Sequence, residues 1–406
     1  MTSLTSNPTP KTVISAGVSS ALERIEALSV GFCQERFGHR LRALVLTGSN
    51  ARGEASVLRT VQGWRVLGDA EFMLVLDRAI SRDGARTKAL AQDVRRRLAE
   101  QQVQCEVTFS AVDGAYLRTL EPHIFGYELR TCGRVLCGET DILELIPDFL
   151  PSAIRVEDGW QMLCNRLVEQ LDCADEIFSS EVADRLRYRM LKLYLDMATS
   201  LLLFLGRYKP TYVERARELG HLDTGLAGKV PVSDLAEKVH AATHLKLHPQ
   251  DAAAEAEFFR RHSWGRAIRD AELLWRWELE RLLETTELLE NRDLISRKSR
   301  RQPLFAQLRG WAYVVRACGL SKTIRSTPHW LRLARRGSPR HLIYAAACEL
   351  LFSLAAEDGD PGAGLQAMCR RLRSSLPIRI SEGGGWRQLA SEIAINYHSF
   401  VEATRA

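Results

Sequence analysis

Asp69-Ala70-Glu71 stands at the head of an apolar run, EFMLVL, that ends at Leu76. Residues i and i+2 of a strand point to one face, so both carboxylates would project together. Two carboxylates this close repel each other at neutral pH and attract a divalent cation. Magnesium, a hard ion that takes oxygen ligands, suits the pair. A cation held there would bridge phosphate oxygens and neutralise charge during phosphoryl transfer. Upstream, Gly48-Ser49 closes a second apolar run, Arg42–Thr47, and continues as Asn50-Ala51-Arg52-Gly53-Glu54. A glycine lets the backbone approach a phosphate closely, and the serine hydroxyl and following amides can donate to its oxygens. Arg52 would add a charged fork for the same triphosphate. A third acid, Glu106, lies on the polar side of the alternating segment Gln104–Ser110. If that strand neighbours the Asp69–Leu76 strand, Glu106 completes a carboxylate triad. It would hold a second metal or take a proton from an attacking hydroxyl.

These residues need a scaffold, and the pattern around them supplies one. Residues 17–39 carry Val18, Leu22, Ile25 and Leu28 at helical spacing. A buried strand is expected at 42–47, a second within 64–76, an amphipathic helix over 86–102 and a half-buried strand at 104–110, with a further strand-like piece at 133–137. The nineteen residues from Asn50 to Gly68 leave room for an inserted hairpin around Trp64. Pro147 and Pro151 mark a boundary near residue 150, beyond which the pattern is helical. Helices are expected over 159–173, 181–205, 212–219, 252–290, 303–318, 342–356, 364–374 and 386–404, with a softer break at 291–302. The expected class is α+β: a mixed sheet with helices, followed by an all-helical C-terminal region. The expected divisions are a disordered lead (1–15), a sheet domain (16–150), a helical domain (151–290) and a basic helical segment (291–406).

Gly-Ser after a strand, a charged turn, Asp-x-Glu before an apolar strand and an acid on a later strand resemble the DNA polymerase β-like nucleotidyltransferase superfamily, most closely its kanamycin-type branch. The specific part of the resemblance is residues 45–110; in outline it covers about 40–220. It implies that Gly48, Ser49 and Arg52 hold a nucleoside triphosphate, ATP above others. It implies that Asp69, Glu71 and Glu106 bind Mg2+ and serve catalysis, and that the following helices help form an acceptor site. The stretch from Asn50 to Gly68 is longer than the family's usual turn, and nothing in the family accounts for 291–406. The expectation is therefore a metal-dependent nucleotidyltransferase acting on an acceptor hydroxyl, of a small molecule rather than a protein or nucleic acid. The alternative is a catalytically degenerate binding or regulatory protein of the same fold.

Composition narrows the setting. Hydrophobic residues make up 46% of the chain and charged residues 26%, as in soluble globular proteins. The most apolar stretches, 190–205 and 342–356, are interrupted by charge and read as buried helices, with no transmembrane segment expected. The nine cysteines show no CxxC pair and read as reduced core residues of a cytoplasmic protein. The net charge of +6 is unevenly spread: between Arg292 and Arg340 there are thirteen Lys and Arg against one acid, Asp293. Such a block faces an anionic partner, the chain's own acidic helices, or solvent. Two other spacings invite chemistry. Arg215 and His221 have the R-x5-H spacing of a HEPN-type ribonuclease, and read also as a helix end. His244 and His248 lie four apart, with no acid expected in place beside them.

Overall fold

Alternation and turn chemistry build the N-terminal sheet. In a computed structural model that describes residues 10–179, 184–223, 230–356, 365–381 and 383–405, five strands form: β1 Leu41–Thr47, β2 Val57–Thr60, β3 Gly63–Leu76, β4 Val103–Asp113 and β5 Arg134–Gly138. β3 is the long central strand. β1 and β2 pair with it antiparallel, β5 pairs antiparallel with β1, and β4 runs parallel to β3. The expected hairpin is present: β2 and β3 meet at Thr60↔Gly63 around the turn Val61-Gln62. Gly63 sits there at φ +122°, against the Gln102 carbonyl.

Helices cover both faces of this sheet. Helix α1 (Pro10–Phe37) and, after the one-turn α2 (Gly48–Ala51), helix α3 (Asp83–Glu100) cover one face. Ala21, Ile25, Phe37, Leu90, Val94 and Leu98 meet Ala70, Phe72, Leu74 and Leu76 there. The other face carries Met73, Val75, Ala43 and Val45, under α4 (Gly114–Arg118) and α5 (Ile124–Cys132). Of the expected disordered lead, residues 1–9 lie outside the described residues, and 10–15 belong to α1, which opens on Pro10 as helices often do.

The remaining helices are α6 Val156–Gln170, α7 Asp184–Phe204, α8 Tyr212–Asp223, α9 Leu235–Leu247, α10 Ala252–Arg261, α11 Trp264–Leu282, α12 Asn291–Arg300, α13 Leu304–Cys318, α14 Leu320–Ala334, α15 Pro339–Ala356, α16 Gln366–Arg373 and α17 Trp386–Arg405. The chain forms two units, Met1–Ala153 with His244–Glu255, and Ile154–Thr243 with Ala256–Ala406. The first unit runs to Ala153 and also includes His244–Glu255. The expected break at 290/291 is not a boundary: Leu294 and Ile295 of α12 are buried, and Asn291 bonds Arg276 and Glu272 of α11. The helix expected over 252–290 is two helices, because Ser263 breaks it: its hydroxyl caps α11 by accepting from the Arg266 amide. Helix α7 is buried from Met190 through Leu203 except at the half-buried Lys192. Its one acid in that stretch, Asp196, is answered by Arg166 at 2.6 Å. No helix among the described residues is long and apolar enough to cross a membrane.

Candidate functional site

The register places the three acids on one face. Asp69 and Glu71 alternate with the inward-facing Ala70 and Phe72, and both are exposed. β4 is the direct neighbour of β3, and Glu106 lies opposite Asp69 in register. The opposite face of β4 is fixed by Phe109, which stacks on Phe72 with ring centroids 5.1 Å apart, and by the buried Val103 and Val107. Parity then puts Glu106 on the side of Asp69 and Glu71. The adjacency that the sequence made a condition is present.

Gly48-Ser49 leaves the end of β1 beside the same place. Thr47 is in register with Glu71 and its hydroxyl donates to the Glu71 carbonyl at 3.3 Å. Gly48 adopts φ +65° and starts the single turn α2. The first amides of a helical turn have no acceptor within it, so this turn offers donors next to the acids. Its far end is anchored inside the same unit. Lys246, 2% exposed, donates to the Glu54 carbonyl at 3.0 Å and to Ser56 Oγ at 2.7 Å. Sequence reasoning missed Lys246, and nothing local marks it: its partners lie about 190 residues away.

Two of the expected ligands are engaged elsewhere. The Arg52 side chain is only 5% exposed; its guanidinium donates to Glu54 at 3.1 Å and to Glu128 of α5 at 2.5 Å. It clamps the turn after Ser49, and a phosphate reaching it would compete with two carboxylates. Glu106 accepts from Arg95 of α3 at 2.5 Å, in a pair with much solvent exposure on both sides. Such a pair contributes only about 0.2–1 kcal/mol, so Glu106 can exchange partners cheaply. Among the described residues no three His, Cys, Asp or Glu side chains are gathered at metal-ligand spacing. Magnesium commonly takes one or two protein carboxylates and fills its shell with water and phosphate oxygens. The Asp69–Glu71 pair fits that habit; Glu106 would join only by giving up Arg95.

The other spacings resolve as structure. Arg215, 2% exposed, donates to the Lys209 and Pro210 carbonyls, Thr199 and Tyr208, so it ties α8 to α7. His244 and His248 do share a helix end. Contrary to expectation an acid is in place: Asp251 lies 2.9 Å from His244 Nε2, held below the usual carboxylate range first by that bond. No metal-ligand group forms there. All nine cysteines are free and at least half-buried; burial pushes Cys33 and Cys105 up to about 12, which keeps them protonated and inert. Two clefts of about 340 and 550 Å³ belong to the helical unit, lined by Trp275, Glu290 and Phe352 in one and by Lys238, Arg261 and Asp270 in the other. Neither includes the three acids. Set against protein-family models and against curated proteins, the chain matches none.

Proposed function

We propose that the chain is a metal-dependent nucleotidyltransferase, moving a nucleoside monophosphate from a nucleoside triphosphate, ATP foremost, to the hydroxyl of a small acceptor. The observation that carries this reading is the shared face: Asp69 and Glu71 on β3, Glu106 opposite Asp69 on β4, and the Gly48-Ser49 turn abutting Glu71. The amides and hydroxyl of Gly48-Ser49 orient the triphosphate. Asp69 and Glu71 would hold magnesium, which when bound neutralises charge on the phosphates. Glu106, released from Arg95, takes the proton of the acceptor hydroxyl as its oxygen bonds to the α-phosphorus and pyrophosphate leaves. Arg52 is a positioning residue that fixes the turn through Glu54 and Glu128. The rate would come from positioning and charge neutralisation.

A second reading, a degenerate member of the fold that binds without transfer, draws on the ion pairs that occupy Arg52 and Glu106. Incubation with α-labelled triphosphates and a panel of hydroxyl acceptors, read by mass spectrometry, separates the two. The enzyme reading expects an acceptor heavier by one nucleoside monophosphate, formed only with magnesium. No adduct on any acceptor, with intact triphosphate, would favour the binding reading.

A further inference from the structure

Among the described side chains, the cations between Arg292 and Arg340 include two groups. Along α12 they are answered within the helical unit: Arg297 pairs with Glu287 at 2.8 Å and Lys298 with Glu157 at 3.3 Å. Five others, at the end of α12, on α13 and at the end of α14, meet no acid. Arg300, Arg309, Arg332, Arg335 and Arg336 are exposed, and among the described residues none enters an ion pair.

Large apolar side chains stand among these cations. Leu304 is 77% exposed, Phe305 72%, Leu308 69% and Leu331 64%. Leu304, Phe305 and Leu308 occupy one side of the first turns of α13, at spacing i, i+1, i+4. The inner sides of both helices are already committed. Gly310 and Val314 are buried on α13, and Leu333 and Trp330 on α14. The Trp330 indole donates to the Pro377 carbonyl at 2.7 Å and Trp311 to Gly337 at 3.2 Å. Trp311 and Trp330 also approach to 6.2 Å, which sets the start of α13 beside the end of α14. Leucines and a phenylalanine left in water here add nothing to the core, and an exposed apolar side of α13, with Arg309 5.9 Å over the Phe305 ring, marks a binding surface.

We propose that this surface docks on an anionic lipid bilayer. Leu304, Phe305, Leu308 and Leu331 would enter the boundary between headgroups and acyl chains, while Arg300, Arg309, Arg332, Arg335 and Arg336 meet the lipid phosphates. Nucleic acid would satisfy the arginines but leave the leucines in water. The two indoles that could have stacked on bases face inward. From Leu294 to Arg340 there is no acid to repel the membrane. Apolar insertion and surface charge are each marginal alone and suffice together, so both sets of residues are needed.

The full chain should sediment with vesicles of phosphatidylcholine mixed with phosphatidylglycerol, not with phosphatidylcholine alone, and less so as salt rises. The variants L304S/F305S/L308S and R309E/R335E/R336E should each weaken partitioning about tenfold or more, since one interfacial cation contributes roughly fivefold. Their melting temperatures should match the parent, because all six side chains are exposed. Three results would overturn the proposal: no sedimentation with anionic vesicles, sedimentation that the apolar triple variant leaves unchanged, or tighter binding to nucleic acid that the triple variant retains.

Discussion

A Cβ placed on Gly48 would lie 2.5 Å from Oε2 of Glu71. The glycine that ends β1 and the second acid of β3 are therefore fitted to each other. The fit has two parts, since Gly48 also holds φ +65°, a backbone region that costs other residues about 1–2 kcal/mol. Gly48→Ala should lower stability by about that amount and also displace the Glu71 carboxylate. Transfer should fall by a larger factor than a loss of folded protein explains. Assay of the folded fraction, with its melting curve, checks this; specific activity equal to the parent's would separate Gly48 from the chemistry.

Asp69→Asn and Glu71→Gln should each abolish transfer while leaving the fold intact. Both side chains are exposed and make no contribution to the core, whereas a cation needs their charge. Circular dichroism and labelled-product formation are the paired readouts. Parental turnover in either variant would remove that acid from the account.

Glu106 and Arg95 offer a subtler case. Glu106→Gln should lower kcat more than it raises KM, as loss of a proton acceptor does. Arg95→Ala should change stability by less than about 1 kcal/mol, because the pair is exposed. It should keep or raise kcat by freeing Glu106. If both variants leave kcat alone, Glu106 is a surface residue.

The acids and the turn were legible because they are local. Period-two alternation places Asp69, Glu71 and Glu106 on their strands, and short apolar runs mark β1 and β3. What the residues do in three dimensions was less legible. Arg52 reads as a phosphate fork, yet Glu128, which holds it, is 76 positions away. The polar run 291–302 reads as a break because only Leu294 and Ile295 are apolar, but those two are enough to bury one side of α12. α14 was hidden by Pro328, which lies inside the helix. α9 has a weak amphipathic pattern, its seam being set by buried polar groups such as Lys238, which bonds Asp270 at 2.8 Å.

The helical unit should respond to pH through Glu278 and His341. Glu278 is fully buried, and desolvation raises it to about 8; His341 is buried against Trp160, and desolvation lowers it to about 3. Between the ordinary carboxylate value of 4.5 and about 8 the folded chain holds a proton on Glu278 that the unfolded chain releases, so stability falls as pH rises. His341 acts oppositely between about 3 and 6.5, where the unfolded chain takes up a proton that the folded one refuses. The two oppose each other between 4.5 and 6.5; above that Glu278 continues the decline, and His398, raised above its ordinary value by its bond to Asp172, adds to it in the same direction. Denaturation should show stability declining across that upper window, with at most about 1.4 kcal/mol per pH unit coming from Glu278, and Glu278→Gln should make the slope shallower. An equal slope in the variant would show that Glu278 is not its source.

Removing residues 291–406 should unfold the helical unit, since α15 packs on α6 and α11, where Tyr344 bonds Asn165 at 2.6 Å and Trp275 meets Phe352 at 5.5 Å. The truncated chain should lose most of the helical signal beyond that of the deleted segment. A cooperative melt at the parent's temperature would show that 151–290 stands alone.

The central claim is a metal-dependent triphosphate site on Asp69 and Glu71, and calorimetric titration with a non-hydrolysable triphosphate tests it without knowledge of the acceptor. The parent should bind in magnesium, and bind at least about tenfold more weakly in chelator or as the D69N/E71Q variant, a loss of roughly 1.4 kcal/mol or more. Binding that is absent, or that is the same with and without magnesium and with and without the two carboxylates, would contradict it.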